Sequence, residues 1–427
     1  MGVALIAVFV LLVAAAVPIA FALGGTAALA LVLEGREPLL IVPQQIMSGM
    51  DSFPMLAVPL FILAGFIMDV GGIARRLVTL AHALVGRFPG GLGQVVVLGE
   101  LFFSGVSGST SAKAAAIGGI MIPQLTENGY TRTRATAIVA AACATGILIP
   151  PNIVFIIYGV VANVSIGQLF MAGLVPGLLA AAALMAQIGW QARRHQWARG
   201  TWPGWRETTR TAVDALLPLL LIVVVLGGIR SGMFTATEAA AVAVVYALLL
   251  AAFVYRSLTW RQFRNKLLET AMLTGMVLLI VGAAKLLSWV LATQQVPQTF
   301  ALGVMKMGGG RTLFLLMTIA VFLPLGTILE GVPAIVMLTP ILAPIARELG
   351  INMVHYGVLI AATQGISVFT PPVGISLLVA CSVGRATPSE VARPLLSYLA
   401  LLLVVALVIA FVPALSLFLP RLVGYAL

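Results

Sequence analysis

Charged side chains are scarce in this chain: Asp, Glu, Lys and Arg make up 9% of its 427 residues, against roughly a quarter in an ordinary soluble domain. With 61% apolar residues and a mean hydropathy of +1.13, that scarcity excludes a fold whose main solvent is water. Cysteine and histidine are sparse too. Cys143 and Cys381 lie inside apolar runs without metal or redox spacing, so they read as small core residues and imply no disulfide framework. His82, His195 and His355 fall in or beside expected loops. No Ser/His, paired Asp or His-Glu pattern sits at helical register in the apolar segments, which argues against an intramembrane enzyme. A Gly-x-x-x-x-Gly-Lys-Ser/Thr phosphate loop is also missing, which argues against ATP as a driving force. No catalytic residue and no organic cofactor are assigned.

Apolar runs are abundant. From Gly2 to Leu419 they recur at lengths suited to a ~30 Å hydrocarbon core, broken by Gly and Pro rather than by polar domains. The run from Val3 lacks a basic leader and a cleavage pattern and reads as a permanent helix. The net charge of +11 is scattered in short clusters, which points to membrane topology rather than nucleic-acid binding. If the clusters from Arg75-Arg76 through Arg193-Arg194 to Arg385 and Arg393 share one side, that side holds 16 of the 24 Lys and Arg. By the positive-inside rule it is cytoplasmic, which puts both chain ends in the periplasm.

The chain also repeats itself. One constant shift places Gly105 on Gly326, Pro123 on Pro344, Glu127 on Glu348, Gly129 on Gly350, and Pro150-Pro151 on Pro371-Pro372 without a gap. The expected fold is therefore an all-α polytopic membrane protein of two inverted repeats, residues 1–190 and 211–427, joined by a basic cytoplasmic linker at 191–210. In that linker Trp197, Trp202 and Trp205 are expected at headgroup level. Each half reads as five crossings plus a re-entrant helical hairpin, and an odd number of crossings reverses the second half. The first hairpin, about 90–124, has arms of roughly 15 residues, about 22 Å at ~1.5 Å per residue, too short to cross. It is expected to open to the cytoplasm and its counterpart, about 312–346, to the periplasm.

After each hairpin comes an apolar segment broken by adjacent prolines, Pro150-Pro151 and Pro371-Pro372. These remove two donors and disfavour helix in the preceding residue, freeing carbonyls at membrane depth. Carbonyls and hydroxyls suit a hard cation such as sodium, and the helices restarting beyond each break aim their positive dipole ends at an anion. The first sodium site is expected from Ser104, Ser107, Gly108, Ser109, Gly146 and Asn152. The second is expected from Gly326, Leu329, Gly331, Gly365 and Thr370. A substrate carboxylate is expected near Ser109, Ser111, Lys113, Asn152 and Thr370, with Lys113 either neutralising it or snorkelling toward the cytoplasm. Glu330, at the second tip, is either an ion or proton ligand or a vestibule residue. Glu100, Glu238 and Lys285 take no assignment beyond buried pairing or polar packing.

The Ser-Gly-x-Ser-Gly-Ser tip, the stretch Ile122 to Tyr130, the Gly146-to-Asn152 break and the Phe-Thr-Pro-Pro-Val-Gly of Phe369 to Gly374 together resemble the large membrane subunit of TRAP transporters. The resemblance covers essentially the whole chain. It implies an elevator-type carrier in the bacterial inner membrane, importing organic acid anions such as dicarboxylates or sugar acids under a sodium gradient. Two partners are implied as well: a small four-helix membrane subunit and a periplasmic substrate-binding protein. Lys113 departs from the small or acidic residue expected at its place, leaving substrate preference open. A self-sufficient sodium/dicarboxylate symporter of the divalent-anion family is the alternative reading. A passive assembly subunit is argued against by the matched hairpins.

Overall fold

The computed structural model describes residues 2–35, 37–105, 110–197, 200, 202–306, 308–329 and 331–425, and among these it is helical without strands. The first half comprises α1 (Gly2–Ala14), α2 (Ile19–Glu34), α3 (Ile41–Met50), α4 (Ala57–Val70), α5 (Ile73–Val85), α6 (Gly91–Ser104), α7 (Thr110–Glu127), α8 (Arg132–Gly146), α9 (Ile153–Ala162) and α10 (Ile166–His195). The second comprises α11 (Trp205–Arg230), α12 (Ala236–Leu249), α13 (Trp260–Thr293), α14 (Val296–Lys306), α15 (Gly310–Ile328), α16 (Gly331–Glu348), α17 (Met353–Ser367), α18 (Ile375–Gly384), α19 (Pro388–Phe411) and α20 (Pro413–Leu422).

The repeat in the sequence is a repeat in the backbone. The shift that lays Pro150 on Pro371 also lays both ends of α7 on those of α16 and both ends of α8 on those of α17. Local chemistry explains the register. Gly129 and Gly350 adopt the left-handed conformation, at φ +87° and +67°, in the turns that leave the hairpins, a region costly to residues with a Cβ. Two residues on, Thr131 and Asn352 cap the broken helices: Thr131 Oγ1 accepts from the Arg134 N–H at 3.4 Å, and Asn352 Oδ1 from the Val354 N–H at 3.0 Å. Each cap supplies an acceptor to otherwise orphaned helix donors.

Among the described residues, seven helices are long and apolar enough to cross a membrane, including those at Ile166–His195, Trp260–Thr293 and Pro388–Phe411. The apolar arm Gly310–Thr327 is also one of them. Across the stretch expected as a basic connection, α10 runs to His195 and α11 starts at Trp205. Within it Trp197 is buried and stacks on Tyr130 at 4.0 Å between ring centroids; of the three tryptophans, Trp205 is the most exposed. His355 likewise lies inside, bonded to Ser416 Oγ and the Ala410 carbonyl at 3.3 Å each.

The packing interlocks the halves. The restart helix α9 lies against α16 of the second hairpin, and α18 lies against α7 of the first hairpin and against α8. α13 packs on α2, α3 and α4, while α11 packs on α5 and α12 on α4. Apolar transfer does little to join helices in lipid, where close approach of small residues counts instead. Such an approach brings α3 to α13, where a Cβ on Gly49 would stand 3.0 Å from the Gly282 Cα.

Candidate ion and substrate site at the paired helix breaks

The two broken helices end alike. After α8 the chain tightens into three-residue turns, Leu148 N–H to the Thr145 carbonyl at 3.3 Å and Ile149 N–H to the Gly146 carbonyl at 3.2 Å. At the matching positions of the second half, Phe369 N–H bonds the Ile366 carbonyl at 3.3 Å and Thr370 N–H the Ser367 carbonyl at 3.1 Å. The prolines follow, and both Pro-Pro peptide bonds are cis. Pro151 has no N–H for the Ile147 carbonyl and Pro372 none for that of Val368. Ser376 N–H takes the Val368 carbonyl at 2.9 Å.

Each break is backed by its own hairpin. A Cβ on Gly146 would run into Ser104 Oγ and stand 2.9 Å from Ser104 Cβ, so the end of α6 sits on the end of α8. In the second half a Cβ on Gly326 would run into Ser367 Oγ and stand 2.8 Å from Ser367 Cβ and 2.9 Å from Gln364 Oε1. The same close contact is therefore made by a serine on the hairpin in one half and on the broken helix in the other. The two breaks also meet. A Cβ on Gly365 would stand 2.7 Å from the Ala144 carbonyl oxygen, so α17 crosses α8 with backbone almost touching backbone near the ends of both helices, ahead of both sets of prolines.

The expected ligands divide into groups. Ser104 and Gly146 of the first set are together, and so are Gly326 and the α17 end that holds Gly365. Ser107, Gly108, Ser109 and Glu330 lie outside the described residues. Asn152 is 2% exposed, and its Oδ1 accepts from the Val154 N–H at 2.8 Å. It caps α9, so one oxygen lone pair is already engaged. Thr370 is half-buried and donates its hydroxyl to the Ile366 carbonyl at 2.8 Å, which leaves its oxygen able to accept a cation. Leu329 follows α15 with its N–H on the Leu325 carbonyl at 2.8 Å, and Gly331 opens α16.

Lys113 does not snorkel. It is fully buried on α7, and its Nζ donates to Ser104 Oγ at 3.1 Å. Glu100 and Cys143 are fully buried beside it, Cys143 Sγ donating to Glu100 Oε1 at 3.3 Å. Two residues escaped the sequence reading. Ser367 carries the second-half contact, and Gln364 is fully buried with neither side-chain polar atom bonded among the described residues. The available signal was a polar residue one turn before the break, at the position that matches Cys143.

An all-helical membrane protein whose paired broken helices are each backed by a hairpin has the architecture of a secondary transporter. The chain matches the model of the family described as "Tripartite ATP-independent periplasmic transporter, DctM component" over residues 6–415, and it belongs to that family. It is 39% identical over 402 residues to the C4-dicarboxylate TRAP transporter large permease protein DctM of Pseudomonas aeruginosa, covering 94% of each chain. It is 37% identical over 412 residues to the sialic acid TRAP transporter large permease protein SiaM of Vibrio cholerae, covering 96% of each. Its fold is similar to that of the YdaH transporter of Alcanivorax borkumensis, with a TM-score of 0.64 at 14% identity over 88% of this chain and 89% of that one.

Proposed function

We propose that this chain is the permease subunit of a sodium-driven importer of organic acid anions in the bacterial inner membrane. The observation that carries the reading is the meeting of the two breaks, where Gly365 touches the Ala144 carbonyl and each end is backed by its hairpin. Two interrupted helices side by side put backbone carbonyls for a cation next to helix N-termini for a carboxylate. Binding sodium first lessens the cost of bringing in the anion, which links the two gradients. The relatives named for C4-dicarboxylates and for sialic acid carry ligands whose shared feature is a carboxylate, and that is the substrate class proposed here.

The packing supports an elevator motion. α9 on α16 and α18 on α7 lace both hairpins to both broken helices, so that body is expected to move as a unit against a scaffold containing α11, α12 and α13. The charge distribution supports periplasmic chain ends, with the first hairpin opening to the cytoplasm. As in its family's tripartite organisation, a small membrane subunit and a periplasmic binding protein complete the system. The test is uptake of labelled carboxylates into proteoliposomes holding this chain, with and without the two partners, under an imposed sodium gradient. Uptake unchanged when potassium replaces sodium rejects the coupling ion. Full-rate uptake without a binding protein points instead to a self-sufficient symporter.

A further inference from the structure

The halves agree in backbone but not in the polar residues behind their breaks. In the first half Glu100, Lys113 and Cys143, from both hairpin arms and the broken helix, form a fully buried cluster. The matching positions of the second half hold Val321, Ala334 and Gln364. A cation on one side is thus replaced by a methyl group on the other.

The first-half amino group stands where a coupling ion is expected. Lys113 Nζ lies 3.1 Å from Ser104 Oγ and 3.1 Å from the place where a Cβ on Gly146 would be, between the hairpin end and the helix end. Glu100 and Cys143 are the titratable groups buried with it, Cys143 Sγ bonding Glu100 Oε1 at 3.3 Å, and Asp69 is the next acid in its surroundings. A second cation at this depth meets strong repulsion, because charges a few ångströms apart in a poorly polarisable interior are weakly screened. The second half presents the reverse situation. Gln364 is fully buried, its amide oxygen and nitrogen have no partner among the described residues, and its Oε1 points at the hairpin end, 2.9 Å from where a Cβ on Gly326 would be. Burying an amide oxygen without a donor or a cation is costly, and a bound cation meets that need.

We propose that Lys113 is a built-in cation occupying the first-half ion site, and that exchangeable sodium binds only in the second half, with Gln364 among its ligands. The inference rests on the sodium-coupled reading above and makes this carrier asymmetric in its ion use. Sodium binding to the purified full-length protein in lipid nanodiscs, followed by titration calorimetry with choline balancing ionic strength, tests it. Wild type is expected to bind a single class of sodium, and Gln364→Leu to lose it. Lys113→Ala is expected to gain a second class. The double variant Glu100→Gln/Lys113→Ala removes the acid and the amine together, serves if the single variant inserts poorly, and is expected to gain the second class too.

Two sodium classes in wild type, or no gain in monodisperse forms of both Lys113 variants, overturns the role of Lys113. Unchanged sodium binding in Gln364→Leu overturns the role of Gln364. A wild type that binds no sodium at all rejects the coupling ion and with it second-half binding, while a sodium class gained in the Lys113 variants still upholds the ammonium as its stand-in.

Discussion

Replacing Gly365 by alanine tests whether contact between the two breaks sets the geometry of the site. The new Cβ would stand 2.7 Å from the Ala144 carbonyl oxygen, 3.4 Å from its carbon and 3.5 Å from its Cα. All three are backbone atoms, so no rotamer change relieves them, and α17 must move off α8 by a few tenths of an ångström. Overpacking of this kind costs about 1–3 kcal/mol. Alanine also gains ~1 kcal/mol over glycine within a helix, which the single variant alone does not separate. Gly275, inside α13, has nothing within 4 Å of its would-be Cβ, so Gly275→Ala carries the helix gain without the clash. The difference between the two variants is therefore expected to be about 1–3 kcal/mol, with Gly365→Ala the weaker. Unfolding in mixed micelles, followed by circular dichroism, measures it. The Ala144 carbonyl also accepts the Ile147 N–H at 3.4 Å at the start of the first break, so Gly365→Ala is expected to alter half-saturating sodium for uptake while Gly275→Ala leaves it unchanged. Equal stability and equal sodium dependence in the two variants refute the reasoning.

Three further outcomes are expected. Asn152→Ala removes the α9 cap and should destabilise the protein by ~1 kcal/mol, whereas Asn152→Ser retains a neutral acceptor and most of the stability; the same unfolding assay distinguishes them. Thr370→Ala should raise half-saturating sodium roughly ten- to hundredfold, equivalent to losing an interaction of about 1.5–3 kcal/mol at a charged group; Thr370→Ser and Ser165→Ala, the latter on a cap at the start of α10, should titrate like wild type. Trp197→Ala removes a buried ring stacked on Tyr130 and should cost about 3–5 kcal/mol, while Trp205→Ala, at a site 75% exposed, should leave unfolding unchanged.

The sequence displays backbone constraints more openly than side-chain contacts. Pro150-Pro151, Pro371-Pro372, Gly129 and Gly350 are legible because few residues can stand where a helix must stop or φ must be positive. Their shared register yields the repeat that α7, α8, α16 and α17 reproduce. Contacts across the chain leave weaker traces. Gly365 is one glycine among 43 in the sequence, and nothing local says that it faces the Ala144 carbonyl. Trp197 reads as an interfacial aromatic because its neighbours are basic, yet Tyr130, distant in sequence, provides a buried surface for it. Lys113 reads as a residue able to reach water, but α6 and α8 enclose it with Glu100 and Ser104.

This difference also explains how one backbone can hold two unlike sites. The prolines end the broken helices and the left-handed glycines turn the chain into them, so both are constraints on the backbone that each half keeps. The polar residues behind the breaks are under no such mutual constraint. Ser104 against Gly146 and Gly326 against Ser367 make the same contact with the roles exchanged, because only the summed volume at the contact matters to the packing. Charge needs local balance rather than symmetry: Lys113 is buried in the same cluster as Glu100, and its counterpart Ala334 sits in a half where Val321 replaces the acid. A repeat can therefore keep its geometry while its halves diverge in their buried polar residues, and the divergence is found by comparing matched positions of the two halves rather than by reading either half alone.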